Sequence, residues 1–132
     1  MEVKIDTKEK FTVVTPVMPF ISANIAATLS ETCSGFLQQP VKNIVLNLEP
    51  VTEIEPEAAS AIAALQQHFY ENSASFVLCN MKEPLEAVFE KEELLDFMNI
   101  TPTESEAWDI VQMEEIEREL LDGDDMEFEK PE

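Results

Sequence analysis

Two glutamates, Glu55 and Glu57, lie close together at the turn between a short apolar stretch and an alanine-rich segment. In α/β proteins the loop from a strand into a helix is a common place for functional residues. Two carboxylates can act as general acid and general base when a cleft separates their pKa values. Nothing in the sequence around this pair predicts a cleft, an accompanying base or an oxyanion site. We therefore predict that the pair is not catalytic and that the chain is not an enzyme.

The cysteines and the histidine do not form a recognisable metal site. Cys33 and Cys79 lack the C-x-x-C spacing of zinc ligands, and His68 is the only histidine, so we expect no metal. Two distant thiols in a chain without an apolar leader are typical of a reduced, cytoplasmic protein. With two glycines in the whole chain, a glycine-rich phosphate loop is excluded. We expect no cofactor.

The composition is that of a folded chain with an extreme charge. Its 132 residues are enough for one domain with a core, and 45% of them are hydrophobic. The formal net charge of -20 at pH 7 repels nucleic acid and anionic membrane surfaces. A basic partner or a requirement for solubility fits this charge better. No apolar run approaches the roughly 18 residues of a membrane span, so we expect no direct membrane insertion.

Hydrophobic periodicity and helix-start residues predict alternating strands and helices. Ser22 is placed to cap a helix over residues 22–38, and Pro56 suits the first turn of a helix that runs to about residue 72. Pro84 is expected to open a third helix. Apolar and β-branched runs predict strands at residues 2–6, 11–15, 44–48, 75–78 and 98–100. This order predicts a single α/β domain with a mixed sheet of about four to five strands and about four helices.

The last helix and the end of the chain allow more than one interpretation. Thr103 and Glu106 have the spacing of a capping box at the start of this helix. Its apolar side is expected to consist of Trp108, Val111 and Leu120 or Leu121. Beyond Met113 the helix is either a docking element for a partner or a second copy, or a core-packing helix with a solvated acidic side. We predict a domain over residues 1–121, with the helix ending near 121, and a flexible acidic tail over residues 122–132.

The segment 43–65, which reads NIVLNLEPVTEIEPEAASAIAAL, carries a family resemblance. With the order of the elements it resembles the STAS domain of bacterial anti-sigma factor antagonists, where a hydrophobic turn leads into an Asp-Ser-Ser-Gly-type motif that opens a helix. Glu55 takes the place of the Asp, Pro56 and Glu57 those of the two serines, and Ala58 that of the Gly. The turn and the apolar helix positions are matched by Val51, Thr52, Ile54, Ala61, Ile62 and Leu65. The resemblance covers about residues 2–112 and includes Ala107 in the last helix.

The resemblance implies a regulatory switch that this chain lacks. In the family a partner kinase phosphorylates the second serine, which switches off binding, and a phosphatase restores it. Glu57 has no hydroxyl to accept a phosphate, and it carries about one negative charge against roughly -1.5 to -2 for a phosphate. It is either a fixed, imperfect phosphomimetic or a helix-terminus charge worth roughly 0.3–1 kcal/mol. Thr52 and Ser60 are either substitute phosphorylation sites or capping and solvated hydroxyls.

The resemblance predicts a protein-binding function. We expect a non-enzymatic regulator whose partner is an anti-sigma factor or a serine-kinase-like protein, with kinase control absent or altered at Glu57. The alternative is an accessory subunit of a membrane transport system or a small-ligand-binding STAS domain. The alanine-rich helix face and the long last helix also leave a homodimer open. The predicted partner-binding residues are Thr52, Glu53, Ile54, Glu55, Pro56, Glu57, Ala59, Ser60 and Ala63.

Overall fold

The computed structural model describes the backbone of residues 2–128 and the side chains of residues 2–121. Its main sheet has five strands, in the spatial order β1-β2-β4-β6-β7. They are β1 (Val3–Thr7), β2 (Thr12–Pro16), β4 (Ile44–Asn47), β6 (Phe76–Cys79) and β7 (Ile100–Thr101). β1 is antiparallel to β2, and the other neighbours are parallel. A separate pair of parallel two-residue strands consists of β3 (Phe20–Ile21) and β5 (Glu53–Ile54).

Four α-helices complete the fold, so the predicted mixed sheet with about four helices is confirmed. They are α1 (Ala23–Ser34), α2 (Pro56–Glu71), α3 (Glu83–Lys91) and α4 (Glu104–Phe128), with short 3₁₀ segments at Gly35–Gln38 and Leu95–Phe97. The Ser22 hydroxyl caps α1 by accepting from the Ile25 N–H at 3.2 Å. Proline near the first turn opens both α2 and α3, where its missing N–H leaves no bond unmade.

The alternation of side chains along the central strands divides the core between the two faces of the sheet. On the face covered by α1, α2 and α3, the strand residues are Val14, Leu46 and Leu78. On the opposite face, which α4 covers, they are Val13, Val45 and Val77, which pack with Ala107 and Val111. Because both faces are covered, the middle of each of these strands is apolar on both sides.

Side-chain hydrogen bonds fasten α4 to the amino-terminal ends of β4 and β6. Glu114 accepts from the Ser75 hydroxyl at 2.6 Å and from the Tyr70 hydroxyl at 2.7 Å. Arg118 donates to the Ser75 hydroxyl at 3.1 Å, and Asn43 donates to a carboxylate oxygen of Glu115 at 2.8 Å. This polar cluster holds the middle of α4 against the sheet beyond its last fully buried apolar residue.

The apolar side of α4 differs from the predicted one. Ala107 and Val111 are fully buried, whereas Trp108 is 40% exposed. Leu120 and Leu121 are also exposed. Leu120 lies about 180° around the helix from the buried Val111 and so faces away from the sheet. The prediction that Trp108 packs inward was therefore wrong. Of the two alternatives left open for the helix beyond Met113, the exposed leucines do not support core packing.

Element ends shift by a few residues from those predicted. β7 covers residues 100–101 instead of 98–100, because Met98 packs into the core as part of the connecting loop. α4 is described to Phe128, past the boundary predicted near 121. The predicted tail over 122–132 thus overlaps the helix, and its last four residues lie outside the described part of the chain. The flexibility of that tail stays a prediction.

Within residues 2–128, none of the helices combines the length and the apolar composition that a bilayer span requires.

Candidate functional site

The β3–β5 pair joins the starts of two helices at the carboxyl-terminal edge of the main sheet. The Pro19 carbonyl accepts from the N–H groups of Thr52 and Glu53 at 2.8 and 2.9 Å, and the Glu55 N–H donates to the Ile21 carbonyl at 3.0 Å. Residues 19–21 lead directly into α1, and residues 52–55 lead directly into α2. The amino-terminal ends of α1 and α2 are therefore fixed beside each other.

The Glu55 side chain turns away from its own helix and binds the start of α1. Its Oε1 atom accepts from the Ala23 N–H at 2.8 Å, and the side chain is half-buried. The first N–H groups of a helix have no partner within the helix, and the helix dipole favours a negative charge there. Glu55 is also the N-cap residue of α2 through its backbone, since its carbonyl accepts from the Ala59 N–H. One residue thus connects both helices.

Glu57 has a different environment although it stands only two positions further along. It lies in the first turn of α2 and is exposed. Its side chain makes no hydrogen bond or ion pair with any other side chain of residues 2–121. The helix dipole favours its charge, but the carboxylate remains available to another molecule.

The predicted partner-binding residues divide into three groups by exposure. Thr52, Glu53, Pro56, Glu57 and Ser60 are exposed, and Glu55 and Ala63 are half-buried. Ile54 and Ala59 are buried in the core cluster, so they support this surface from beneath and do not form part of it. We call the exposed group together with Glu55 the α2-entry surface.

Sequence reasoning missed the contribution of the segment before α1. Phe20 is 40% exposed and pairs in register with Glu53, which places an aromatic ring next to the α2-entry surface. Val17, just upstream, is also exposed. The sequence signal was a large apolar residue between Pro19 and the cap residue Ser22.

The reactive side chains elsewhere are not arranged for chemistry. Cys33 and Cys79 are both buried free thiols, and burial raises the pKa of each to about 12. A thiol with such a raised pKa is a poor nucleophile and metal ligand. His68 is exposed on α2. Among the residues that the structure describes, no three His, Cys, Asp or Glu side chains come together as metal ligands.

The comparison with protein families gives the identity of the fold. Residues 2–107 match the STAS domain family. The chain belongs to the STAS domain family. The resemblance carried by the 43–65 segment is thereby confirmed. No curated protein matches this sequence.

Solved STAS structures superpose on most of the chain. A proposed anti-sigma factor antagonist from Thermotoga maritima has a TM-score of 0.74 and 20% identity, covering 83% of this chain and 94% of its own. The anti-sigma factor antagonist SpoIIAA, in its unphosphorylated form, has a TM-score of 0.67 and 16% identity over 84% of this chain and 96% of its own. SpoIIAA from Bacillus in its phosphorylated form has the same fold, with a TM-score of 0.61. At these identities the likeness shows the fold alone.

Two further structures bear on the two alternatives, a regulatory protein and an accessory subunit of a transport system. RsbS from Moorella thermoacetica, in a variant with a serine replaced by glutamate, has a TM-score of 0.70 and 13% identity over 85% of this chain and 96% of its own. The murine anion transporter Slc26a9 has a TM-score of 0.62 and 14% identity over 79% of this chain and 18% of its own. The STAS fold thus occurs both in small regulators and as part of a transporter.

Proposed function

We propose that this STAS domain is a non-enzymatic regulatory module that binds a protein partner through the α2-entry surface, without phosphorylation control at position 57. The partner is an anti-sigma factor or a serine-kinase-like regulator, and binding takes place in the cytoplasm. The observation that carries the proposal is the exposed, uncommitted carboxylate of Glu57 in the first turn of α2. Family resemblance puts a phosphorylatable serine at this position, and the named relative SpoIIAA has a phosphorylated form.

The charge at position 57 is permanent in this chain. A carboxylate carries about one negative charge, whereas a phosphoserine would carry roughly -1.5 to -2 and three acceptor oxygens. A kinase cannot modify Glu57 at a hydroxyl, because it has none. The surface therefore has one fixed charge state. Its charge at position 57 has the same sign as that of a phosphoserine but a smaller magnitude.

The contacts of Glu55 support a binding role over a catalytic one. A general acid–base pair needs two carboxylates that both reach the reacting groups. The Glu55 carboxylate instead accepts a hydrogen bond from the Ala23 N–H at 2.8 Å. Glu57 therefore has no second carboxylate with which to form such a pair. The cavity of about 550 Å³ beside Ile5, Phe36 and Val41 lies between β1 and α1 and is not lined by either glutamate.

The proposal is tested with Glu57→Ser in a binding and phosphorylation experiment. Wild type and variant are used to capture partners from the native cell lysate, and the captured anti-sigma factor or kinase is then purified and titrated against each. We expect Glu57→Ser to change the affinity by about tenfold or more, since a charge in direct contact is lost. We also expect it to gain phosphate from the captured kinase at the introduced hydroxyl.

Glu83→Ser is the matched control, because Glu83 is also an exposed glutamate in the first turn of a helix, α3. Equal partner binding by wild type, Glu57→Ser and Glu57→Lys would overturn the role of position 57. It would leave Glu57 as a helix-terminus charge.

A second candidate function is favoured by the fold shared with the Slc26a9 anion transporter. In that case the chain is an accessory subunit that docks on a membrane transport complex through the same surface. The test is copurification of the tagged chain with solubilised membranes. Recovery of a transport protein whose binding is insensitive to Glu57→Ser supports this candidate over the regulator.

A further inference from the structure

α4 contacts the sheet through one side only. Ala107 and Val111 pack into the core, and Glu114 and Arg118 reach Ser75 on the same side. At 3.6 residues per turn, Val111 and Arg118 lie on nearly the same side of the helix. The opposite side has no element of residues 2–121 packed against it.

An apolar stripe runs along this opposite side. Met113, Ile116 and Leu120 are 57%, 52% and 55% exposed. Their i, i+3, i+7 spacing places them within about 60° of one another around the helix axis. This is the spacing of a helix that docks against a second helix or in a groove. We call these three residues the α4 stripe.

The surroundings of the α4 stripe carry one sign of charge. Residues 104–121 include seven acidic residues and one cationic residue, Arg118. Arg118 is turned to the sheet side, where it donates to Ser75. Asp109 is exposed in line with the stripe, one turn before Met113, and Glu117 is exposed about 40° from Met113 around the helix axis. An occupant of the stripe therefore meets apolar side chains between carboxylates.

We propose that the α4 stripe is a second docking site, which binds a basic amphipathic helix of a partner protein. The apolar side of that partner helix covers Met113, Ile116 and Leu120, and the Lys or Arg side chains of the partner helix pair with Asp109 and Glu117. The charge selects this occupant over a second copy of the chain, because each copy has a net charge of -20 and would place carboxylates against carboxylates. The site is independent of the α2-entry surface, since α4 covers the opposite face of the sheet from α1 and α2.

The test uses a synthetic helical peptide with leucines at i, i+3, i+4 and i+7 and lysines on both sides of them. Titration calorimetry compares it with a peptide of the same composition whose leucines are distributed around the helix. We expect the patterned peptide to bind more tightly to the wild type. Ile116→Ser with Leu120→Ser is expected to weaken its binding about tenfold or more, because two half-exposed apolar side chains no longer lose water.

Three further variants isolate the stripe. Phe97→Ser removes a side chain that is 74% exposed elsewhere and should leave binding unchanged, as should Glu57→Ser. Glu117→Lys should weaken binding and lower its dependence on salt. Circular dichroism and thermal unfolding of each variant confirm that its fold is retained.

Equal binding of the two peptides, or binding unaffected by Ile116→Ser with Leu120→Ser, would overturn the proposal and reduce the interaction to general charge attraction. A wild-type dimer in sedimentation equilibrium that the same double variant dissociates would also overturn it, because the occupant would then be a second copy.

Discussion

Glu55 and Glu57 show how two identical side chains acquire different roles from the backbone that carries them. Glu55 precedes α2 in extended backbone, which lets its side chain cross to the start of α1. Glu57 is inside the first turn and points to solvent. Pro56 predicted that Glu55 precedes the helix and that Glu57 lies in its first turn. It could not predict the Ala23 contact, because that N–H lies 32 residues away and depends on how α1 and α2 pack.

Glu55→Ala should destabilise the protein, whereas Glu57→Ala should not. The first substitution leaves the Ala23 N–H without its charged acceptor, so we expect the free energy of unfolding to fall by about 1–2 kcal/mol. The second changes an exposed residue, and we expect a change within about 0.5 kcal/mol. Urea unfolding followed by circular dichroism measures both. Equal losses in the two variants would contradict the different roles assigned to the two glutamates.

The buried Cys33 thiol should make stability depend on alkaline pH. Burial raises its pKa from the ordinary value of 9.0 to about 12, so above pH 9 the unfolded chain releases this proton while the folded chain keeps it. The unfolded state then binds fewer protons, and the free energy of unfolding falls as pH rises from 9 to 12, by up to about 1.4 kcal/mol per pH unit. Urea unfolding at several pH values gives this slope.

Cys33→Ala is the comparison for that slope, because it removes the thiol and keeps a small apolar side chain. Its stability should fall less steeply above pH 9 than that of the wild type. Identical slopes in the two proteins would show that Cys33 does not contribute.

At the scale of the elements, capping residues and prolines predicted the helices well, because these signals act within one turn. Ser22 caps α1 and Thr103 accepts from the Glu106 N–H at the start of α4, as their spacing predicted. β3 and β5 were missed, since two residues are too few for a periodic pattern and their pairing depends on tertiary structure. The apolar side of α4 was also misjudged, because Leu120 lies about 180° around the helix from Val111 and the two cannot face the sheet together.

The polar cluster under α4 should contribute to stability through Ser75. Its hydroxyl donates to Glu114 at 2.6 Å and accepts from Arg118 at 3.1 Å, and the residue is fully buried. Ser75→Ala leaves both charged groups with one partner fewer, so we expect a loss of about 1–3 kcal/mol. Thermal and urea unfolding measure it. Ser60→Ala, on the exposed side of α2, serves as the control and should be nearly neutral; a Ser75→Ala variant as stable as this control would contradict the prediction.

The whole molecule carries far more charge than its size requires. A net charge of -20 exceeds the magnitude of roughly 2–8 that keeps a small domain soluble. Such an excess destabilises the compact state by self-repulsion while it opposes self-association. It also favours partners with basic surfaces, which agrees with the occupant proposed for the α4 stripe.

Stability should therefore rise with ionic strength. The screening length falls from about 10 Å at 0.1 M salt to about 3 Å at 1 M, so repulsion between exposed carboxylates weakens. If about 1 kcal/mol of repulsion is relieved, the melting temperature rises by roughly 3–5 °C. Calorimetry in increasing sodium chloride tests this. A variant with Glu90→Lys and Glu117→Lys should melt higher at low salt and respond less to it, and a melting temperature of the wild type that falls with salt would contradict the prediction.

The β3–β5 pair makes the α2-entry surface a preorganised one. Backbone bonds from Pro19 and Ile21 and the Glu55 contact with Ala23 fix the loop before any partner arrives. Partner binding at Glu57, as proposed, should therefore lose little conformational entropy, since this loop is already ordered in the folded chain. Association should be close to the docking of two rigid bodies. Differences in affinity among variants of this surface should then appear mainly in the dissociation rate.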